Sequence, residues 1–448
     1  MMDALEAQVR EILRRHVPRN ARIVIGLSGG IDSVVLLQVL ARGLRLSPRR
    51  LSAIHVNHRI SPRAADWAAF CRSLCRKLGV KLRVVDVVVP RGNSTEAAAR
   101  AARHAAFVVS GAGVVVLAHN RDDQAETLLL QLLRGAGPRG LAAMPVLKPG
   151  TPAVVRPLLE VPRRAIAAYA RRHRLRWVED ESNEDRAYLR NFLRHDVLPL
   201  LEQKLPGAGA VLARGARHQA EASDLLDALA AQDLGADAHQ DCLPLALIKP
   251  LAPHRARNAI RYFLRCHGVL MPEADRLDEL LRQALGARSD ARARVDLGDV
   301  ELRRFQDALH IVKPLPTPVK SFGQSWDGKG TLALPQLGGS LRLARRQGEG
   351  IAASVLRSSP LTVRVRRGGE WLRPRAGGRR RTVRNLLQEA GLPPWERERL
   401  PFLYVGNELV AVAGLGVDAG FRAAAGESGF LPLWLPEHAA TRRLPETD

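Results

Sequence analysis

Two groups of residues in this chain could do chemistry. The first is the run Ser28-Gly29-Gly30-Ile31-Asp32-Ser33. Adjacent glycines reach backbone conformations that other residues resist, and they let main-chain N–H groups approach a phosphate closely. Ser28 and Ser33 can add hydroxyl hydrogen bonds. Asp32 would repel a phosphate, so its natural partner is a metal ion, with Mg²⁺ bridging to the phosphates the expected one. The run lacks the Gly-Lys-Ser/Thr ending of a Walker loop. A glycine pair also suits an ordinary tight turn, so its surroundings must decide.

The second group is His119-Asn120-Arg121-Asp122-Asp123-Gln124-Ala125-Glu126. On a helix Asp123 and Glu126 are three apart and share a face, and Asp122 lies four before Glu126. Carboxylates just past a parallel strand face the crevice where such sheets bind ligands. There they could hold a metal or an organic cation. Acids at a helix start are also favoured by the helix dipole alone.

The elements that would position these groups follow from hydropathy. Residues 23–27, 51–56, 82–89, 114–118 and 153–155 are short apolar runs and read as strands. Helical stretches lie between them: 34–44, then 62–78 closed by Gly79, then one capped by Asn93 with Glu96 in capping-box position, then one starting at Asp122 or Asp123. Wholly apolar strands alternating with helices predict an α/β fold: a parallel five-stranded nucleotide-binding sheet with helices on both faces. The run 28–33 then lies between a strand and a helix, where the helix N-terminus favours phosphate. The expected domains are 1–205, the catalytic domain; 206–312, a helical middle domain rich in Ala, Leu and Arg; and 313–448, a Pro-rich linker with a small α+β domain.

The 448 residues are 46% hydrophobic and 25% charged, which fits a folded chain rather than a disordered one. A net charge of +24 argues for a polyanionic partner. The densest basic clusters are Arg163-Arg164, Arg171-Arg172-His173-Arg174 and 373–384. Aromatic residues make up only 4%, so recognition would rest on backbone charge and shape more than on base stacking. Four cysteines fit a reducing cytosol, with Cys71 and Cys75, four apart, reading as core residues. The N-terminus reads as an amphipathic helix rather than a secretory signal, and no apolar run has the length of a membrane span. A cytoplasmic location is expected.

In its strand–loop–helix setting, the run 28–33 resembles the pyrophosphate loop of the ATP pyrophosphatase superfamily. Members split ATP into AMP and pyrophosphate to activate a carbonyl oxygen. The resemblance implies ATP contacts from Ser28, Gly29, Gly30, Ile31, Asp32 and Ser33, and adenine contacts from the second strand at Ala53 and His55. The chain continues with Arg134-Gly135-Ala136-Gly137-Pro138-Arg139-Gly140, Arg156-Pro157-Leu158-Leu159, Asp180-Glu181-Ser182-Asn183 and Arg190-Asn191-Phe192-Leu193-Arg194. That series is similar to the tRNA(Ile)-lysidine synthase family. Three distal stretches are similar to the family's own C-terminal domain: Val365-Arg366-Arg367-Gly368-Gly369-Glu370, Ala390-Gly391-Leu392-Pro393-Pro394-Trp395-Glu396-Arg397 and Leu409-Val410-Ala411-Val412-Ala413-Gly414-Leu415-Gly416.

The resemblance implies that cytosine C2 of the wobble cytidine in a CAU anticodon is first adenylated through its oxygen and then attacked by the ε-amine of lysine. ATP and Mg²⁺ are the implied cofactors; tRNA(Ile) with the CAU anticodon and L-lysine are the implied partners, and a homodimer is a further expectation. By the same analogy Asp32 holds metal, and Asp123 and Glu126 hold lysine. His119 serves proton transfer or nucleotide contact. Arg100, Arg103 and Arg194 neutralise phosphate or developing charge. Arg190, Arg366, Arg380 and Arg384 meet tRNA. Two positions depart from the family pattern: Asn120 stands where a second His is usual, and His104 where a Tyr is usual. The rival readings are a tRNA thiolase on the same nucleotide fold, which would want a Cys-x-x-Cys pair absent here, and a non-catalytic RNA-binding relative.

If about 6–8 phosphates are neutralised on binding, log affinity for tRNA falls against log salt with a slope of about −5 to −7. Binding measured from low to high salt checks this; a slope near zero would remove the RNA-binding reading.

Overall fold

Alternating apolar side chains along short strands organise the N-terminal half. The computed structural model describes residues 3–437 apart from 48, 60, 88–94, 273, 287–293, 315–318 and 320. The chain divides into two units, Met1–Leu226 and Asp227–Asp448.

The first unit runs α1 (Ala4–His16), β1 (Ile23–Gly26), α2 (Ile31–Gln38), β2 (Leu51–Asn57), α3 (Ala64–Leu78), β3 (Lys81–Asp86), α4 (Thr95–Val109), β4 (Val114–Val116), α5 (Arg121–Leu133), α6 (Pro138–Leu141), β5 (Leu147–Lys148), β6 (Ala153–Val155), α7 (Arg163–Arg172), α8 (Leu189–Phe192), α9 (Leu198–Lys204) and α10 (Ala208–Leu234), the last crossing the division. The sheet order is β3-β2-β1-β4-β6-β5. The five expected strands are all present and all parallel. A sixth, β5, joins the edge antiparallel to β6, and at two residues it left no hydropathy signal.

Period-two alternation assigns the two faces of this sheet. Ile23, Ile25, Leu51, Ala53, Val114, Val116 and Val155 enter one core with Leu5 and Val9 of α1, Leu36 of α2, Cys71 of α3 and Ile166 of α7. Val24, Ile54, Val115 and Val154 enter a second core with Ala106 and Phe107 of α4. Helices therefore cover both faces, as wholly apolar parallel strands require. Asp3 caps α1, and Tyr169 on α7 donates its hydroxyl to Glu6 at 2.8 Å, tying the N-terminal helix to the sheet's cover. Gly79 ends α3 in the left-handed conformation at φ 69°, as its sequence position predicted. The cap expected at Asn93 lies outside the described residues.

The second unit departs from the all-helical middle expected from composition. Helices α11 (Leu245–Ile248), α12 (Pro253–Cys266) and α13 (Ala274–Gly286) pack with strands β7 (Cys242–Pro244), β8 (Arg294–Asp296), β9 (Glu301–Phe305) and β10 (Ala308–Val312), which form an antiparallel sheet in the order β7-β10-β9-β8. These strands are three to five residues long, too short to stand out in a stretch rich in Ala, Leu and Arg. Beyond residue 320 come β11 (Gly323–Trp326), β12 (Thr331–Leu334), β13 (Gly339–Gln347), β14 (Ile351–Ala352), α14 (Ala353–Ser358), β15 (Leu361–Arg364), β16 (Trp371–Leu372), β17 (Arg381–Thr382), α15 (Val383–Glu389), α16 (Pro394–Arg397), β18 (Phe402–Val405), β19 (Glu408–Val412), β20 (Gly416–Val417) and β21 (Ser428–Pro436). They build two antiparallel sheets, β11-β15-β18-β19-β20 and β12-β13-β21-β14, and a separate β16-β17 ribbon.

Candidate active site

The loop after β1 is held in shape by its own hydroxyls. Ser33 Oγ donates to the Gly30 carbonyl at 2.9 Å and accepts from the Gly29 N–H at 3.2 Å, while Ser28 Oγ accepts from the Gly30 N–H at 3.3 Å. Gly29 sits at φ 93°, a conformation open to glycine, and a Cβ there would lie 2.7 Å from Val178 Cγ2. Gly30 is the N-cap of α2. The helix itself makes no use of the N–H groups of Ile31, Asp32 and Ser33, so these remain as donors for an anion. Ile31 thus serves through its backbone; its side chain packs against the core.

A cavity of about 450 Å³ opens beside the loop at the ends of β1, β2 and β4, the point where the sheet order reverses. Ser28, Asp32, Ser33, His55, His58, Trp67, Arg103, His119 and Asp123 are among its lining residues. Ala53, expected near adenine, is not: it is 2% exposed and points into the larger core. Its neighbour Ile54 and Val56, of opposite parity, line the cavity instead. His55 lines it too, with Nδ1 2.8 Å from the Leu27 carbonyl, and burial lowers its pKa. His58 Nδ1, Trp67 Nε1 and His119 Nδ1 are buried and have no protein partner. Burial pushes His119 down to about 4, with Arg156, Arg190 and Arg103 acting in the same direction against Asp123. His119 is therefore neutral at pH 7.

Asn120, one of the two departures from the family pattern, joins the two sequence motifs. Its side chain caps α5 by accepting from the N–H groups of Asp122 and Asp123, and Asp123 completes a capping box by accepting from the Asn120 N–H at 2.9 Å. The same amide donates to Asp32 Oδ1 at 3.1 Å. Asp32 is pushed up to about 6, first by burial and then by the charge of Asp123. His104, the other departure, is exposed on α4.

Asp123 and Glu126 do share a face, but they are already paired. Arg194 donates through Nε to Glu126 at 2.6 Å and through Nη2 to Asp123 at 2.8 Å; Arg190 donates through Nε to Glu126 at 3.0 Å. Burial opposes the charge on Arg194, yet the bond and charge of Glu126, with Asp123 adding, hold its pKa above the ordinary value. Both arginines lie on α8 and the π-turn 193–197 that follows it. Arg190, expected to meet tRNA, is here an inner ion-pair partner because Glu126, 1% exposed, cannot stay charged without cations. Arg100 lies on α4, its side chain outside what the structure describes; Arg103, one turn later, lines the cavity.

Family models match three stretches of the chain: the PP-loop domain over residues 1–201, the TilS substrate binding domain over 243–310 and the TilS substrate C-terminal domain over 361–434. A tRNA(Ile)-lysidine synthase from Nitrosomonas europaea is 41% identical and covers 95% of this chain and 94% of its own. One from Chromobacterium violaceum is 44% identical, covering 92% and 95%. The chain belongs to the tRNA(Ile)-lysidine synthase family. A U34-tRNA thiolase structure from Methanococcus maripaludis is similar over 48% of this chain and 78% of its own, at 21% identity and a TM-score of 0.41.

Within this family member, reading the sequence for motifs passed over Trp67 and Phe107, both lining the cavity from helices. The cap of α5 was missed as well: the helix was expected to start at Asp122 or Asp123, whereas it starts at Arg121 with Asn120 capping it.

Two outcomes follow. Arg194→Ala leaves one oxygen of buried Glu126 unpaired and costs about 3 kcal/mol of stability; a melting temperature equal to the parent's would show the pair to be idle. Asp32 has a folded-state pKa of about 6 against 3.8 for the free side chain. The folded chain therefore binds this proton more tightly, and the contribution of Asp32 becomes destabilising as pH rises through 4 to 6. Asp32→Asn stabilises the nucleotide-free chain at pH 8 by roughly 1–3 kcal/mol and hardly at all at pH 4, read from thermal unfolding at both pH values.

Proposed function

We propose that this chain joins L-lysine to C2 of the wobble cytidine in the CAU anticodon of an isoleucine tRNA, consuming ATP and releasing AMP and pyrophosphate. The observation that carries this reading is the Asp32–Asn120–Asp123–Arg194 chain of hydrogen bonds, which ties the phosphate loop to the carboxylate cluster beside one cavity. Residues 1–205 do the chemistry, and 206–312 and 313–448 hold the tRNA, as the substrate-binding family models over 243–310 and 361–434 support.

The backbone donors of Ile31, Asp32 and Ser33 cradle the leaving pyrophosphate, and Arg103 at the cavity wall adds positive charge. Asp32 fits Mg²⁺: it is a half-buried carboxylate beside a second one, and Mg²⁺ is commonly held by one or two carboxylates plus substrate phosphates. Bound there, Mg²⁺ would neutralise phosphate charge. Adenylation turns the C2 oxygen into a leaving group that lysine can displace.

Lysine must lose a proton to attack, which costs ~4.6 kcal/mol at pH 7 for a free ε-amine. His119, at about 4, is a poor acceptor for that proton: the transfer runs about 9 kcal/mol uphill. Its unpartnered Nδ1 supports nucleotide or cytosine contact instead. Of the two carboxylates, Asp123 lines the cavity and meets the lysine ammonium, while buried Glu126 anchors Arg190 and Arg194. Arg380 and Arg384 are exposed, and Arg366 keeps a buried Nε without a partner, which supports tRNA contact at the first two.

The thiolase alternative is not favoured. Burial pushes Cys71 up to about 12 and Cys75 up to about 11, so neither offers a thiolate. No helix among the described residues is long and apolar enough to cross a membrane, which accords with action in the cytoplasm. A homodimer remains part of the reading, to be read from the mass in solution.

The assay supplies an isoleucine tRNA transcript, ATP, Mg²⁺ and labelled lysine. Label on that tRNA and not on a methionine tRNA bearing the same anticodon is the expected result; ATP consumption without label transfer would overturn the reading.

A further inference from the structure

The ribbon β16-β17 carries a large aromatic side chain, Trp371, that is more than half exposed. Trp371 pairs with Thr382 and Leu372 with Arg381. Leu372 is 2% exposed and points into a core with Val383, Phe402 and Tyr404. Alternation then forces Trp371 outward, where it is 53% exposed. Among the described residues no aromatic ring or cation packs on its indole.

The ribbon's loop places cations around it. Residues 373–380 read Arg-Pro-Arg-Ala-Gly-Gly-Arg-Arg. A turn closed by the Gly378 N–H donating to the Arg375 carbonyl at 3.0 Å, with Gly377 at φ 69°, fixes the tip. Arg375, Arg379, Arg380 and Arg384 are all exposed, and among the described residues none has an acidic partner. Their neighbour Arg381 is different, being paired with Glu389. Arg380 directly precedes β17, two residues before Thr382, the partner of Trp371 in the ribbon.

We propose that Trp371 is a stacking platform for an unpaired nucleobase of RNA, with Arg375, Arg379, Arg380 and Arg384 holding the phosphates on either side. An apolar partner would have to strip water from four guanidinium groups without replacing it. An acidic protein surface matches the charges but brings no flat π-face for the indole. RNA supplies both at once. The base is unpaired because bases inside a double helix already have both faces stacked, whereas one in a single strand or at a helix end has a face free. This deepens the tRNA reading above and rests on it. It also alters the expectation, drawn from the 4% aromatic content, that recognition relies on charge more than stacking.

The test measures affinity of the full chain for the isoleucine tRNA across a salt series, with Trp371→Ala, Trp371→Phe and Arg380→Ala compared with the parent. Trp371→Ala weakens binding about 5- to 100-fold at every salt concentration and leaves the salt slope unchanged, since no phosphate contact is lost. Trp371→Phe keeps most of the affinity because a π-face remains. Arg380→Ala lowers the steepness of the slope by about 1. Trp371→Ala binding within twofold of the parent, or a change in its slope matching that of Arg380→Ala, overturns the platform while leaving the tRNA reading intact. A parent chain that does not bind tRNA overturns both. An unchanged melting temperature for Trp371→Ala, expected of an exposed side chain, separates lost stacking from lost folding.

Discussion

A carboxylate kept from water must keep a cation beside it, and Glu126 places that constraint on the N-terminal unit. At 1% exposure it cannot rely on solvent, so it draws Arg190 and Arg194 onto α5 from a segment more than sixty residues later. That segment is short, being one turn of α-helix and one π-turn, and it has little propensity of its own to rely on. The ion pairs decide where it lies. They also explain why Arg190, expected to meet tRNA, is an inner ion-pair partner. Their charges are largely matched by Asp123 and Glu126, so the cluster as a whole comes close to neutral.

Asn120 carries this order across to the phosphate loop. One amide side chain caps α5 and bonds Asp32, so the helix that bears the carboxylates is tied to the loop that would bear the phosphates. Asp32 pays for this position with a raised pKa, which is the state a carboxylate takes when it awaits a cation. The neutral imidazoles of His55, His58 and His119 around the same cavity have the opposite character. They offer hydrogen bonds without adding charge. Binding a highly charged ligand beside neutral donors and acceptors lets the cations act on the phosphates alone.

The second unit works with different physics. Its cores are ordinary apolar ones, and its arginines and acids are nearly equal in number. Where acids are present they neutralise particular arginines, as Asp233 does Arg255 and Glu389 does Arg381. Among the described residues, Arg375, Arg379, Arg380 and Arg384, on or beside the β16-β17 ribbon, are exposed and have no acidic partner.

Much of this was legible in the chain itself. Five apolar runs marked five parallel strands, because strands covered on both faces have no polar side to show. The glycine pair marked the phosphate loop, and Asp122 and Asp123 marked a helix start to within two residues, although the cap itself is Asn120. Local sequence could not reveal β5, too short for a pattern, nor the sheet β7–β10, whose strands of three to five residues sit among Ala- and Arg-rich helices. Nor could it tell Ala53 from Ile54, because which parity faces which core depends on how the helices pack on the sheet. The carboxylate pair shows the limit most clearly. Spacing on one helix determined that Asp123 and Glu126 share a face. What faces them was decided by a distant segment folding back, since ion pairs between residues 64 to 71 apart in the chain exist only once the tertiary structure has formed.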